Sequence, residues 1–141
     1  MRLLTKSFGE IEISEKEIIE FDCPILGFED KKRYVFMIDD SLNGEFIWLQ
    51  SVDDGSLCFV LADPSRFIDG YAPTFADNIE KLIGAGTYEM WLIMVVADDF
   101  SESTVNLKSP VIVNVETRKG AQLIAEEDYA FKYKLFKEGE K

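Results

Sequence analysis

The stretch WLQSVDDGSLCFVLADP, Trp48 to Pro64, sets two apolar runs on either side of Asp53-Asp54-Gly55-Ser56. An Asp-Gly pair between such runs is a strong hairpin signal, because both residue types reach the positive φ that a two-residue turn demands. A turn at Asp54-Gly55 predicts strands Phe46 to Val52 and Leu57 to Ala62, with Val52 opposite Leu57 and Gln50 opposite Phe59. One face then carries Trp48, Gln50, Val52, Leu57, Phe59 and Leu61, and the other Ile47, Leu49, Ser51, Cys58, Val60 and Ala62. Both faces are largely apolar, which places the hairpin in the middle of the sheet. Its three aspartates look like chemistry, but the pairing separates them. Asp54 lies at the turn and Asp63 ends the returning strand, roughly 20 to 25 Å away at ~3.3 Å per residue. They cannot share a metal ion or flank a glycosidic bond.

Upstream of the hairpin, Glu10-Ile11-Glu12-Ile13 alternates and Glu17 to Phe21 adds a second short run, which reads as a polar-edged ribbon. Pro24 and Gly27 interrupt the pattern in DCPILGFEDKK, an ordered loop with Ile25, Leu26 and Phe28 to bury, before Arg33 to Ile38 resumes as a strand. Downstream, Phe75, Ile79, Leu82 and Ile83 fall at i, i+4, i+7 and i+8, so one helix is expected, capped by Thr74 and stopped by Gly84 and Gly86. Strands Tyr88 to Ala97, Thr104 to Ser109 and Val111 to Glu116 follow. Thr117-Arg118-Lys119-Gly120 then turns the chain into Ala121 to Ala125, and Phe131 to Leu135 alternates apolar with basic as a last amphipathic strand. The sum is mainly β: a small antiparallel β-barrel or sandwich of about ten short strands with one short helix, a single domain over residues 1–141.

Composition narrows the function classes. Of the 141 residues 47% are hydrophobic and 30% charged, which excludes a disordered chain. The longest apolar run, Met90 to Ala97, falls far short of the ~20 residues of a membrane helix. The opening MRLLTKSFGEIEIS has no signal-peptide core, so a cytoplasmic protein is expected, with no membrane contact.

Histidine is absent, which excludes His-dependent triads, and Cys23 and Cys58 form no metal-binding spacing. No cofactor or metal is therefore expected, and the two cysteines are expected as reduced thiols. The glycines at Gly84 and Gly86 lack the Lys-Ser/Thr ending of a phosphate loop. A net charge of −12, from 27 acidic against 15 basic residues, repels nucleic-acid phosphates and favours a basic partner. Beside Glu126, Glu127 and Asp128, the lysine and aromatic alternation of Tyr129 to Lys137 reads as a charged edge strand, not a base-stacking platform.

What remains is a binding protein, able to add an extended segment to a sheet edge or to hold an amphipathic helix in a groove. Two alternatives stand beside it. A small carboxylate-dependent hydrolase would need two facing carboxyl groups about 5 to 9 Å apart in a concave pocket. The other is a chaperone-like β-domain for a secreted protein.

Four blocks carry a resemblance to the bacterial flagellar assembly factor FliW family: GEIEIS with EIIEF between Gly9 and Phe21, ILGFED at Ile25 to Asp30, FIWLQSVDD with CFVLADP between Phe46 and Pro64, and TVNLKSPVIVNVETRKGAQLI from Thr104 to Ile124. Asp69 to Thr87 lies outside them. The resemblance implies a small antiparallel β-barrel that is not an enzyme and that binds the RNA-binding translational repressor CsrA and the filament protein flagellin. Binding CsrA would lift repression of flagellin messenger RNA, and flagellin held in the cell would compete for the same protein and free CsrA. Trp48, Phe59 and Trp91 read as core. The residues expected to meet a partner are polar groups in the matched blocks: Glu29, Asp30, Asp53 and Asp54 in loops, and Asn106 and Asn114 on strands, where an amide has little reason to be buried. Reversing Asp53 and Asp54 to lysine is expected to slow association with a basic partner.

Overall fold

The computed structural model describes residues 1–38 and 45–136; Lys137, the last member of the lysine and aromatic alternation, lies outside them. The described strands are β1 (Arg2–Thr5), β2 (Gly9–Glu12), β3 (Ile19–Cys23), β4 (Arg33–Met37), β5 (Phe46–Ser51), β6 (Cys58–Ala62), β7 (Tyr88–Val95), β8 (Thr104–Val105), β9 (Val111–Asn114), β10 (Lys119–Gln122) and β11 (Tyr133–Lys134). Two short helices, α1 (Pro64–Phe67) and α2 (Ile79–Ile83), accompany them.

Seven strands close a barrel in the order β7-β6-β5-β4-β3-β10-β9 and back to β7. Strands in a ring of seven cannot alternate direction all the way round. One parallel contact is unavoidable, and it falls between β3 and β10, while the other contacts of the ring are antiparallel as expected. The C-terminal half of β7 also pairs with β8, and β8 with β11, so the sheet continues past the closure. β1 and β2 form the separate ribbon.

The decisive hairpin is present and central, since β5 pairs with β4 and β6 with β7. Its register differs by one residue from the Asp54-Gly55 prediction: Gln50 faces Cys58, Leu49 faces Phe59 and Ile47 faces Leu61. The reason is the turn. Gly55 is absent from the residues at positive φ, so no two-residue turn of the mirror-image kind forms. The loop instead runs from Val52 to Leu57. Ser51 Oγ accepts from the amides of Asp53 and Asp54, at 3.1 and 2.9 Å, and the buried Gln50 Nε2 donates to the carbonyls of Ser51, Gly55 and Leu57. Gly55 is needed for a close approach, because a Cβ there would stand 2.0 Å from the Leu4 carbonyl oxygen of β1. The shifted register sends Ile47, Leu49 and Leu61 together into the barrel interior.

That interior also takes Ile19, Phe21, Tyr34, Val111 and Val113, every second residue of their strands. Gly120 makes room for it, since a Cβ there would lie 2.7 Å from the Phe21 ring. Gly120 is thus a strand residue of β10, not part of the turn where the sequence placed it. The outer face is apolar too, because three satellite layers cover it. The β1-β2 ribbon packs on Val35 and Val52; α2 packs on Ile112, Ala121 and Leu123; and α1 with the 129–136 segment packs on Ala62, Leu92 and Met94.

The helix is shorter than its apolar spacing predicts and is joined by a second one. Phe75 leaves the predicted helix to bridge Ala125, and Thr74, its expected cap, is taken by Glu127, which accepts from its amide and hydroxyl at 2.9 and 2.5 Å. Asn78 caps α2 instead, accepting from Lys81 N, and Asp63 caps α1 through Ser65 N.

Candidate partner-binding surface

The loops after β3 and β5 meet at one end of the barrel and bring three of the predicted acids together. Asp53 is a staple. Its Oδ2 accepts from the amides of Lys32 and Arg33 at 3.2 Å each, and its Oδ1 accepts from Arg33 Nε at 3.0 Å and Nη2 at 2.7 Å. Partial burial works against its ionisation, but these hydrogen bonds outweigh it and hold the carboxyl below the ordinary carboxylate range. Asp54 closes its own turn, accepting from Ser56 N and Oγ, and Asp30 accepts from Lys31 Nζ at 2.9 Å. The Ser56 hydroxyl lowers the Asp54 pKa, and the Lys31 hydrogen bond lowers that of Asp30. Lys31 feels Asp30, Asp53 and Asp54 at once, which places all three within one electrostatic neighbourhood. Glu29 is exposed beside them, as are Leu26 and Phe28, the latter with its ring edge on Phe59 at 5.2 Å. Leu26 and Phe28, expected to be buried, instead lie on the surface of this end. Under the acids lies Tyr34, fully buried, whose hydroxyl is pushed up to about 12 by burial and by Asp53 and Asp30.

The two amides do not join this surface. Asn114 is wholly buried at the end of β9, a correction to its expected exposure. Its Nδ2 donates to the carbonyls of Ile83, Gly84 and Ala85 at 3.0, 3.2 and 3.2 Å, and its Oδ1 accepts from the amides of Glu116 and Thr117 at 2.9 and 3.2 Å. The C-terminal carbonyls of a helix lack partners within it. Asn114 supplies them for α2 and ties that end to the β9-β10 turn. Asn106 lies in the loop after β8, not on a strand, where its Oδ1 accepts from Ser109 N at 2.9 Å. Asp63 is committed to α1 and to Arg66.

A second concave surface was not foreseen. Beside the N-terminal half of β7 an open groove of about 570 Å³ has Phe75, Ile79, Met90 and Ile112 among its apolar lining and Asp77, Glu80 and Glu89 among its polar residues. Its wall is the 73–80 segment, which sets Asp77 and Glu80 beside Phe75 and Ile79. Among the described residues no group of three or more His, Cys, Asp or Glu side chains is placed to hold a metal ion, and no helix is long and apolar enough to cross a membrane.

The family model for "FliW protein" matches residues 2–135. A flagellar assembly factor FliW of Lachnospira eligens is 37% identical over 143 residues, covering 96% of this chain and 95% of that one. The flagellar assembly factor FliW of Geobacillus thermodenitrificans is 38% identical over 143 residues, covering 98% and 97%. A solved structure, the crystal structure of the flagellar assembly factor FliW, superposes with a TM-score of 0.89 at 35% identity, over 99% of both chains.

Proposed function

The chain belongs to the FliW family, and we propose that it works as a flagellar assembly factor without enzymatic activity, binding the translational repressor CsrA and, in competition, flagellin. In this reading it acts in the cytoplasm. Capture of CsrA frees flagellin messenger RNA for translation, and unexported flagellin displaces CsrA and restores repression. The observation that carries the reading is the grouping of Asp30, Asp53 and Asp54 at one end of a barrel of net charge −12. An RNA-binding partner presents basic surface, and an acidic end steers it into encounter. Leu26 and Phe28, exposed beside the acids, offer the apolar contact that holds a complex once steered.

The structure also refines which acid to perturb. Asp53→Lys would break the four hydrogen bonds that hold its loop, so its effect on binding could not be separated from folding. Asp30 holds only its neighbour Lys31, and Asp30→Lys is the cleaner reversal. The test is calorimetric titration with purified CsrA and with purified flagellin. Saturable heat with each, weakened for CsrA by salt and by Asp30→Lys, is the expected result. Absence of binding to both at about 50 μM, where even a weak specific complex forms, overturns the proposal.

A further inference from the structure

The acids of the loop end are nearly all spoken for within the chain, whereas those of the groove are not. Asp77, Glu80 and Glu89 are exposed, and among the described residues none of them is in an ion pair; Glu89 accepts only a long hydrogen bond, 3.4 Å, from Trp91 Nε1. Lys81, on α2 itself, is not part of the lining. Three unpaired negative charges around an apolar floor attract a cation.

The groove is also preformed. Its wall is fixed by the Thr74–Glu127 hydrogen bonds and the Phe75–Ala125 bridge, and the Tyr88 hydroxyl donates to the Gly84 carbonyl at 2.5 Å. Its volume falls within the ~300 to 1,000 Å³ of ordinary binding pockets. Along this stretch β7 is paired with β9, from Tyr88 to Trp91, while β6 reaches it only at Leu92 to Met94.

From this we infer that the groove docks a short basic segment of a partner protein, with its apolar side chains on Ile79 and Met90 and its lysines or arginines against Asp77, Glu80 and Glu89. The same field rejects nucleic acid, acidic peptides and a second copy of this chain, whose net charge is also −12. The inference rests on the reading of the chain as a binding protein, but on no particular partner.

The probe is a short synthetic leucine–lysine peptide, titrated at low salt by fluorescence anisotropy and mapped by amide chemical shifts. A serine–lysine peptide of equal charge is the control for attraction without apolar contact. Expected are shifts centred on Ile79, Tyr88 and Met90, and affinity for the control about tenfold lower, as for the loss of burial of about one leucine side chain. The double variant Glu80→Gln with Glu89→Gln, both exposed and so harmless to folding, should weaken binding about fivefold, and Glu10→Gln, exposed on the separate β1-β2 ribbon, should leave it unchanged. Shifts centred on the Asp30 and Asp54 loops, equal affinity for both peptides, or an unaffected double variant would each overturn it. A failure of the CsrA titration would leave this result standing, and a failure here would leave the CsrA reading standing.

Discussion

Replacing Asn114 with alanine tests whether this residue builds the fold or meets a partner. The amide nitrogen has two hydrogens, so its contacts to Ile83, Gly84 and Ala85 amount to two donated bonds, and the oxygen accepts two more. Four bonds at ~1 kcal/mol net would give a loss of about 4 kcal/mol. Part of this is recovered, because Thr117 Oγ1 still donates to the Ile83 carbonyl and the Tyr88 hydroxyl to the Gly84 carbonyl. Water can also reach the exposed turn at Glu116 and Thr117. The expected cost is about 3 kcal/mol, or a Tm lower by about 10 °C for a chain of this size. Asn114→Asp should cost more, because it turns a donor toward three carbonyls into a buried negative charge. Urea unfolding followed by circular dichroism measures both. A loss below about 0.5 kcal/mol for Asn114→Ala, within the range of an ordinary surface change, would refute the structural role. So would unchanged stability with CsrA binding abolished, which would return Asn114 to the partner surface.

Gly55→Ala should lift the β1-β2 ribbon off the β5-β6 loop, since its Cβ would stand 2.0 Å from a backbone oxygen; faster amide exchange at Lys6, which donates to the Gly55 carbonyl, with an intact barrel is the expected outcome. Asp53 has a folded pKa below its unfolded value of ~3.9, so its contribution to stability is full above that value and is lost as pH falls through the folded pKa. Asp53→Asn should therefore cost about 1 to 2 kcal/mol at pH 7, and the gap to the parent should close on acidification, read from urea unfolding across pH. Burial pushes the Cys58 thiol up to about 11, and alkylation of the folded protein near pH 8 should be much slower at this residue than in the urea-unfolded chain, by mass spectrometry of digested protein.

The barrel was legible because its strands alternate so plainly. Ile19 and Phe21, Ile47 and Leu49, and Val111 and Val113 each fall two apart and each point inward. The hairpin register was not, because Asp-Gly has two uses. The sequence reads the glycine as a source of positive φ, whereas here it is required by Leu4, some fifty residues earlier, passing across the loop. The same holds for Thr74, a good cap by local rules that a distant Glu127 removes from the helix.

The candidate surface was half legible for a related reason. Acids in loops are exposed wherever the loops go, so Glu29, Asp30 and Asp54 could be placed near solvent from composition alone. Whether a carboxylate is free or consumed depends on partners brought by the fold, as Arg33 is to Asp53 across twenty positions. Asn114 failed on the same ground. Nothing near it in sequence announces the helix end that its amide completes, thirty residues upstream. The groove was not legible because apolar spacing reads Phe75 to Ile83 as one helix and puts Glu89 on the following strand, and only the fold sets the two side by side.

The most direct test of the central claim is a release measurement. Labelled RNA from the flagellin leader is bound to CsrA and its anisotropy followed as this protein is added, and then as flagellin is added. The account predicts that anisotropy falls to that of free RNA with the first addition and recovers with the second. RNA that stays bound to CsrA at saturating protein would contradict it.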